Sequence, residues 1–253
     1  MTILTAVPVQ SSAARLDQCQ FLRPEISMSP KPYAMPAYVI ERVMKKRGRL
    51  RVFDRFVPRE TALVVVDMQT FYVQDVPPAL AIIPNINRLA HAFRARGAAV
   101  AWVKMTAGEG GRSLWPVYHD NFFTPENAAR HRDNLTEGTD GHRLHPDLEV
   151  TDADIVATKD RFSAFLPGHS ELLEKLNARG IRNVVITGML TNMCCETSAR
   201  DAMMLDYRVV MVSDANAARY GEDHNVGFTT VYQSFGDVLS TDEVLNDLLE
   251  EKA

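Results

Sequence analysis

The sequence predicts a doubly wound α/β domain on a mostly parallel, six-stranded sheet with helices on both faces. Three observations carry that expectation. Runs rich in Val, Ile, Ala and Leu recur with little polar interruption, at residues 62–66, 98–104, 154–158, 183–187, 208–212 and 237–239. Segments of helical spacing alternate with most of them, at 82–96, 168–179, 193–205, 222–234 and 241–250. Gly97 and Gly180 stand where two of those helices should stop. Strands covered on both faces read as continuous apolar runs, and intervening helices make neighbouring strands parallel. Right-handed crossovers then place helices on both faces, in a three-layer, Rossmann-like arrangement.

Two stretches fall outside this alternation. Residues 1–36 read as loop, with prolines at 8, 24, 30, 32 and 36. Residues 37–47 (AYVIERVMKKR) have the spacing of one short amphipathic helix. We read 1–55 as an extension that packs on the core or on a partner subunit, and 56–253 as the domain itself. Residues 105–150 are rich in Gly, His, Asn, Asp and Pro, and read as a long irregular excursion.

Composition narrows the function. The formal net charge is −4 and no domain-scale basic excess exists, so nucleic acid is not expected as a partner. The one basic run, Lys45-Lys46-Arg47-Gly48-Arg49, reads as a solvated helix end. The N-terminus lacks a charged, then apolar, leader, and no apolar run reaches 18 residues. Cys19, Cys194 and Cys195 make no disulfide framework, which points to a reducing, cytoplasmic setting.

In a doubly wound sheet, ligands bind outside the carboxyl ends of the strands. Asp67, Lys159 and the turn at 188–194 all fall just past such ends. The adjacent cysteines do not form a Cys-x-x-Cys, and their spacing does not suit a metal site. Core packing or nucleophilic catalysis remain. Cys195 points about 100° away from Cys194 around a helix and reads as packing. Asn192 is a plausible cap that puts Cys194 in a first helical turn, where a thiolate is favoured. Gly188 permits the tight turn before it. Asp67 as a turn cap and Lys159 as a surface lysine are the plain alternatives. Together, an acid, an amine and a thiol at one rim make a chemically complete set.

Three segments carry a resemblance: Ala62-Leu-Val-Val-Val-Asp67-Met-Gln69-Thr-Phe71, Thr158-Lys159-Asp-Arg161-Phe-Ser163-Ala-Phe165, and Thr187-Gly188-Met-Leu-Thr191-Asn192-Met-Cys194-Cys195-Glu. Over residues 58–250 the chain resembles the isochorismatase-like cysteine hydrolases. The resemblance implies an Asp67–Lys159–Cys194 triad, a cis Met189–Leu190 bond, and an oxyanion hole from the Leu190 and Cys194 N–H groups. It implies cleavage of a C–N bond through a Cys194 thioester, with release of ammonia or carbamate.

Within the family, the chain is similar to the ureidoacrylate, biuret and N-carbamoylsarcosine hydrolases. The metal-binding members carry an Asp-x-His…His cluster after the second strand, which residues 103–111 lack. His119, His131, His142 and His145 are then loop histidines, and neither metal nor cofactor is expected. The substrate is a small amide or ureide. Gln69, Phe71, Trp115, Tyr118, Arg161, Phe165, Asn192 and Gln233 are the candidate contacts to it. The resemblance also suggests a homodimer or homotetramer. The alternatives are a vinyl-ether hydrolase of the isochorismatase type, a silent binding protein on the same fold, and a redox sensor using Cys194 and Cys195.

Overall fold

In the computed structural model, residues 33–249 are described. Strands β1 (Thr61–Val66) and β2 (Ala99–Met105) come first, and a small hairpin follows (β3, Gly108–Glu109; β4, Arg112–Ser113). Then come β5 (Ile155–Lys159), β6 (Asn183–Met189), β7 (Arg208–Ala217) and β8 (Asp237–Leu239). All but the hairpin form one six-stranded sheet, in the order β5-β2-β1-β6-β7-β8. Every pairing in that sheet is parallel. From β1 the chain first winds one way, to β2 and β5. It then returns to β6 on the other side of β1 and winds outward. The reversal between β1 and β6 is the topological switch point, where a crevice opens at the carboxyl ends.

The helices are α1 (Ala37–Arg47), α2 (Thr70–Asp75), α3 (Pro78–Ala95), α4 (Pro116–Phe122), α5 (Pro125–Asn134), α6 (Leu172–Ala178), α7 (Glu196–Met204), α8 (Gly221–Ser234) and α9 (Thr241–Glu243). The β1 side chains divide between two cores. Leu63 and Val65 join Trp102 and Ile82, Ile86, Leu89 and Phe93 of α3. Ala62, Val64 and Val66 join Ala199 and Ala202 of α7 and Phe228 and Val231 of α8. This double burial is why β1 is apolar from Ala62 to Val66.

Two regions depart from the expected reading. The polar start at Gln69-Thr70 opens α2 rather than a simple turn. The excursion 105–150 is not irregular throughout, because it holds the hairpin, α4 and α5. Both helices begin with proline at the first position, and Thr124 caps α5 by accepting from the Asn127 N–H. They are short and lack an apolar stripe, so periodicity does not reveal them.

Residues 33–56 lie against the domain. Val39 and Val43 of α1 bury against Tyr232 of α8, and the Arg47 guanidinium sits 4.6 Å from the Tyr232 ring centre. The basic run is therefore partly engaged, with Lys46 donating to the Gln233 carbonyl at 3.3 Å. Beyond α1, one Asp237 oxygen accepts the Val52 and Phe53 N–H groups at 2.7 and 2.8 Å. The expectation for residues 1–32 lies outside the described residues.

Asp237 is 1% exposed, so its loss orphans two backbone donors in a dry site. We expect Asp237→Ala to cost roughly 2 kcal/mol. Calorimetry of the full chain checks this: the melting temperature should fall by roughly 4–8 °C.

Candidate active site

The site is assembled from three strand ends. The chain leaves β1 at Asp67 with φ 55°, a left-handed conformation that aspartate tolerates better than most residues. The Asp67 N–H still bonds the Val103 carbonyl at 2.9 Å, so the turn is pinned to β2. Lys159 is the last residue of β5. Its ammonium lies 2.8 Å from Asp67 Oδ2 and 3.4 Å from Cys194 Sγ, and donates to the Arg161 carbonyl at 3.0 Å. β6 ends at Met189, the Met189–Leu190 peptide is cis, and a π-helical turn, Thr191–Cys195, leads into α7. Gly188, at φ 107°, has no room for a Cβ, which would lie 2.1 Å from the Val66 carbonyl oxygen. Only glycine lets β6 approach β1 this closely beside Asp67.

The thiol is not held as the helix-cap reading expects. The Asn192 side chain caps nothing. Instead the Leu190 carbonyl accepts both the Met193 and Cys195 N–H groups at 3.1 Å. Thr191 and His224 tie the turn to α8 at 2.8 Å. Burial, then the Asp67 charge, push the Cys194 thiol up to about 12, against the opposing pull of Lys159. Burial likewise raises the Asp67 carboxyl above its ordinary value, despite Lys159. Burial alone would lower Lys159, but Asp67 and Cys194 outweigh it and hold the ammonium above its usual value. The thiol is therefore protonated at rest, beside a lysine ammonium in contact with Asp67. Both Asp67 oxygens are buried without a well-aligned hydrogen bond, so the carboxylate keeps capacity to accept a proton.

Cys195 is fully buried, with its S–H directed at the Thr187 carbonyl at 3.8 Å. It packs, as its helical phase implies.

A cavity of about 320 Å³ opens over Asp67 and Cys194. Of the expected contacts, Phe71 and Tyr118 line it, and so does Leu190, expected as an oxyanion donor. The other expected contacts do not. Gln69 is fully buried and its amide is consumed, bonding both the N–H and carbonyl of Met105 and the His142 carbonyl. Phe165 is fully buried against Tyr207 in the core. Gln233 bonds back to the Thr229 carbonyl on α8. Asn192 stays within its turn. Trp115 backs the wall, tilted against Tyr118 and edge-to-face with Phe162. The Arg161 guanidinium covers Trp115 at 5.0 Å, and only its carbonyl meets the site, through Lys159.

The lining also includes Tyr72, Asp75, Arg130 and Arg219, which the sequence reading passed over, and His131, read there as a loop histidine. Arg130 and His131 belong to the unrecognised helix α5; the Thr124-Pro125 start signal was the only hint of it. His119, His131 and His142 are buried rather than solvated loop residues. Among the described residues, no cluster of three or more His, Cys, Asp or Glu side chains is arranged to hold a metal. No helix among them is long and apolar enough to cross a membrane.

The fold and this set of strand-end residues define a hydrolase of the isochorismatase class. Residues 61–243 match the family model for the isochorismatase domain, and the chain belongs to that family. It is 35% identical over 178 residues to a ureidoacrylate amidohydrolase, RutB, of Rhizobium rhizogenes, covering 62% of this chain and 70% of the relative. It is 30% identical over 220 residues to the RutB of Cronobacter sakazakii, covering 73% and 90%. A solved cysteine hydrolase from Pseudomonas syringae pv. phaseolicola superposes with a TM-score of 0.68 at 26% identity, covering 78% of this chain and 97% of that one. The N-carbamoylsarcosine amidase of Thermoplasma acidophilum gives 0.58 at 28% identity, covering 73% and 98%.

Two predictions follow from these electrostatics. Asp67→Asn removes the anion that opposes thiol ionisation and leaves Lys159 to favour it. Alkylation of Cys194 by iodoacetamide at neutral pH should accelerate by about tenfold for each unit the thiol falls, while turnover is lost. Slower alkylation in this variant would contradict the assignment of Asp67 as the dominant neighbouring charge. The second concerns His131, His142 and His224, which burial lowers from 6.5 to about 4. As pH falls below 6.5, the unfolded chain protonates first, so their contribution is full above that value and is lost toward pH 4. The urea midpoint should therefore drop steadily across that window.

Proposed function

We propose that the protein is a cysteine amidohydrolase that cleaves the C–N bond of a small amide or ureide, with Cys194 as nucleophile. The observation that carries this reading is the contact of one ammonium with both a carboxylate and a thiol, 2.8 Å and 3.4 Å away, on the floor of a ligand-sized cavity. The amidohydrolase relatives support the reaction type.

Asp67 takes the thiol proton as Cys194 attacks the substrate carbonyl. Lys159 stabilises the developing thiolate without moving. The negative charge passes to the carbonyl oxygen, which the Leu190 and Cys194 N–H groups receive. Asp67 returns the proton to the leaving nitrogen, so ammonia or an amine departs and a thioester remains. Asp67 then deprotonates a water that attacks the thioester. The acid is released and the Cys194 thiol is restored.

The cavity wall favours an electron-rich substrate. Arg219 bonds Asp75 Oδ2 at 2.5 Å and Arg130 bonds Oδ1 at 3.4 Å, so two guanidiniums share one carboxylate. That leaves net positive charge over an otherwise largely apolar chamber. A ureide bearing an acidic group, as in the substrate for which the RutB relatives are named, suits this balance.

The test is ammonia release from ureidoacrylate, biuret, N-carbamoyl amino acids, maleamate, nicotinamide and simple carboxamides, with and without chelator. We expect turnover of at least one ureide. Cys194→Ala should abolish it, Cys195→Ala should change it less than roughly tenfold, consistent with a volume-reducing core substitution, and the chelator should leave it intact. Turnover that survives Cys194→Ala would sink the proposal.

A further inference from the structure

A chain of four polar side chains runs from the half-buried hairpin into the cavity. Ser113 Oγ is in close contact with His119 Nδ1. His119 Nε2 lies 2.9 Å from His131 Nδ1, and His131 Nε2 lies 2.9 Å from the Tyr72 hydroxyl. Both histidines are buried, at 4% and 8% exposed. Burial holds both below their ordinary value, His131 at about 4, so each carries a single ring proton at neutral pH.

One proton per ring means that the chain has a direction. Ser113 Oγ already accepts the Trp115 N–H at 3.0 Å. Among the described residues, His119 is the remaining partner for its hydroxyl proton. Donation from Ser113 to His119 Nδ1 puts the His119 proton on Nε2, aimed at His131 Nδ1. That in turn puts the His131 proton on Nε2, aimed at the Tyr72 oxygen. The tyrosine oxygen is then an acceptor toward the protein, and its own proton is left for the cavity that it lines. The reverse direction would leave the serine proton with no protein acceptor among the described residues and turn Tyr72 inward.

We propose that Tyr72 is a substrate-recognition donor, oriented into the cavity by the Ser113–His119–His131 chain, and that it selects substrates with a hydrogen-bond acceptor outside the scissile group. This deepens the hydrolase reading by adding a selection rule to the same cavity. His119, His131 and Ser113 are positioning residues acting through Tyr72. Desolvation, then the nearby Asp67 and Cys194, raise the Tyr72 phenol well above its ordinary value, so it stays a donor at working pH.

Two measurements test this, and neither needs turnover. Nitrogen-15 NMR of the full chain at pH 7.5, assigned with His119→Gln and His131→Gln, reads the tautomers. Both rings should carry the proton on Nε2; a proton on Nδ1 of either overturns the direction of the chain. Calorimetry on Cys194→Ala then compares N-acetylurea, which offers a distal carbonyl, with N-propylurea, which does not. N-acetylurea should bind more tightly. Adding Tyr72→Phe should weaken N-acetylurea roughly threefold to tenfold and leave N-propylurea unchanged. Ser113→Ala, which keeps Tyr72 but removes the proton that starts the chain, should shrink the same preference. Equal loss for both ligands, or no preference to begin with, overturns the proposal. A wild-type chain that hydrolyses no ureide would defeat the hydrolase reading without altering either measurement.

Discussion

Everything in the site depends on a charge pair held away from water. Asp67 and Lys159 are each 1% exposed and 2.8 Å apart. Burying two ions costs several kcal/mol apiece, recovered only when the geometry is close and the remaining donors are satisfied. Lys159 meets that condition through Asp67 and the Arg161 carbonyl, with the Cys194 sulfur beside it. Asp67 has no second donor of comparable quality. The pair is thus stable as an ion pair and still short of one hydrogen on the carboxylate side. The proton of a neighbouring thiol fits that deficit. Removing Lys159 would leave a lone buried carboxylate, and removing Asp67 would leave a lone buried ammonium facing sulfur.

This pair can form only because the sheet brings distant residues to one edge. Asp67 and Lys159 come from strands separated by β2, and Cys194 follows β6 on the far side of β1. Small structural commitments hold those ends in place. Gly188 lets β6 close on the Val66 carbonyl. Gln69 spends its whole amide clamping Met105 and His142, which ties the end of β2 to the excursion. Gly227 lets α8 press on the turn that carries Cys194, where a Cβ would lie 3.0 Å from the Asn192 Cα.

Those facts explain what was legible in the sequence. Apolar runs buried on both faces announce their strands, and the carboxyl-end rule then singles out Asp67, Lys159 and the 188–194 turn before any coordinates exist. Direction within an element is harder to read. Gln69 and Phe165 flank the site in sequence but turn inward, because a buried backbone demands Gln69 and a core cavity takes Phe165. Asn192 looks like a helix cap, yet a π-helical turn lets one carbonyl serve two N–H groups and leaves the cap unused. The excursion was least legible. Helices α4 and α5 are held partly by a His–His contact and by edge-to-face ring contacts around Tyr118, neither of which has a period.

The molecule divides the proposed chemistry from recognition. The charge pair and thiol sit on strand ends that the sheet makes rigid. Tyr118 and His131, with Arg130 near the mouth, come from the excursion, while Arg219 comes from the segment after β7. Loops carried on a rigid scaffold can change without disturbing what the scaffold holds. On the proposed mechanism, a chain sharing Asp67, Lys159 and Cys194 shares a way of breaking a bond. On the proposed recognition, it shares a substrate only if it also shares the charge balance around Asp75 and the direction of the hydrogen bonds that reach Tyr72.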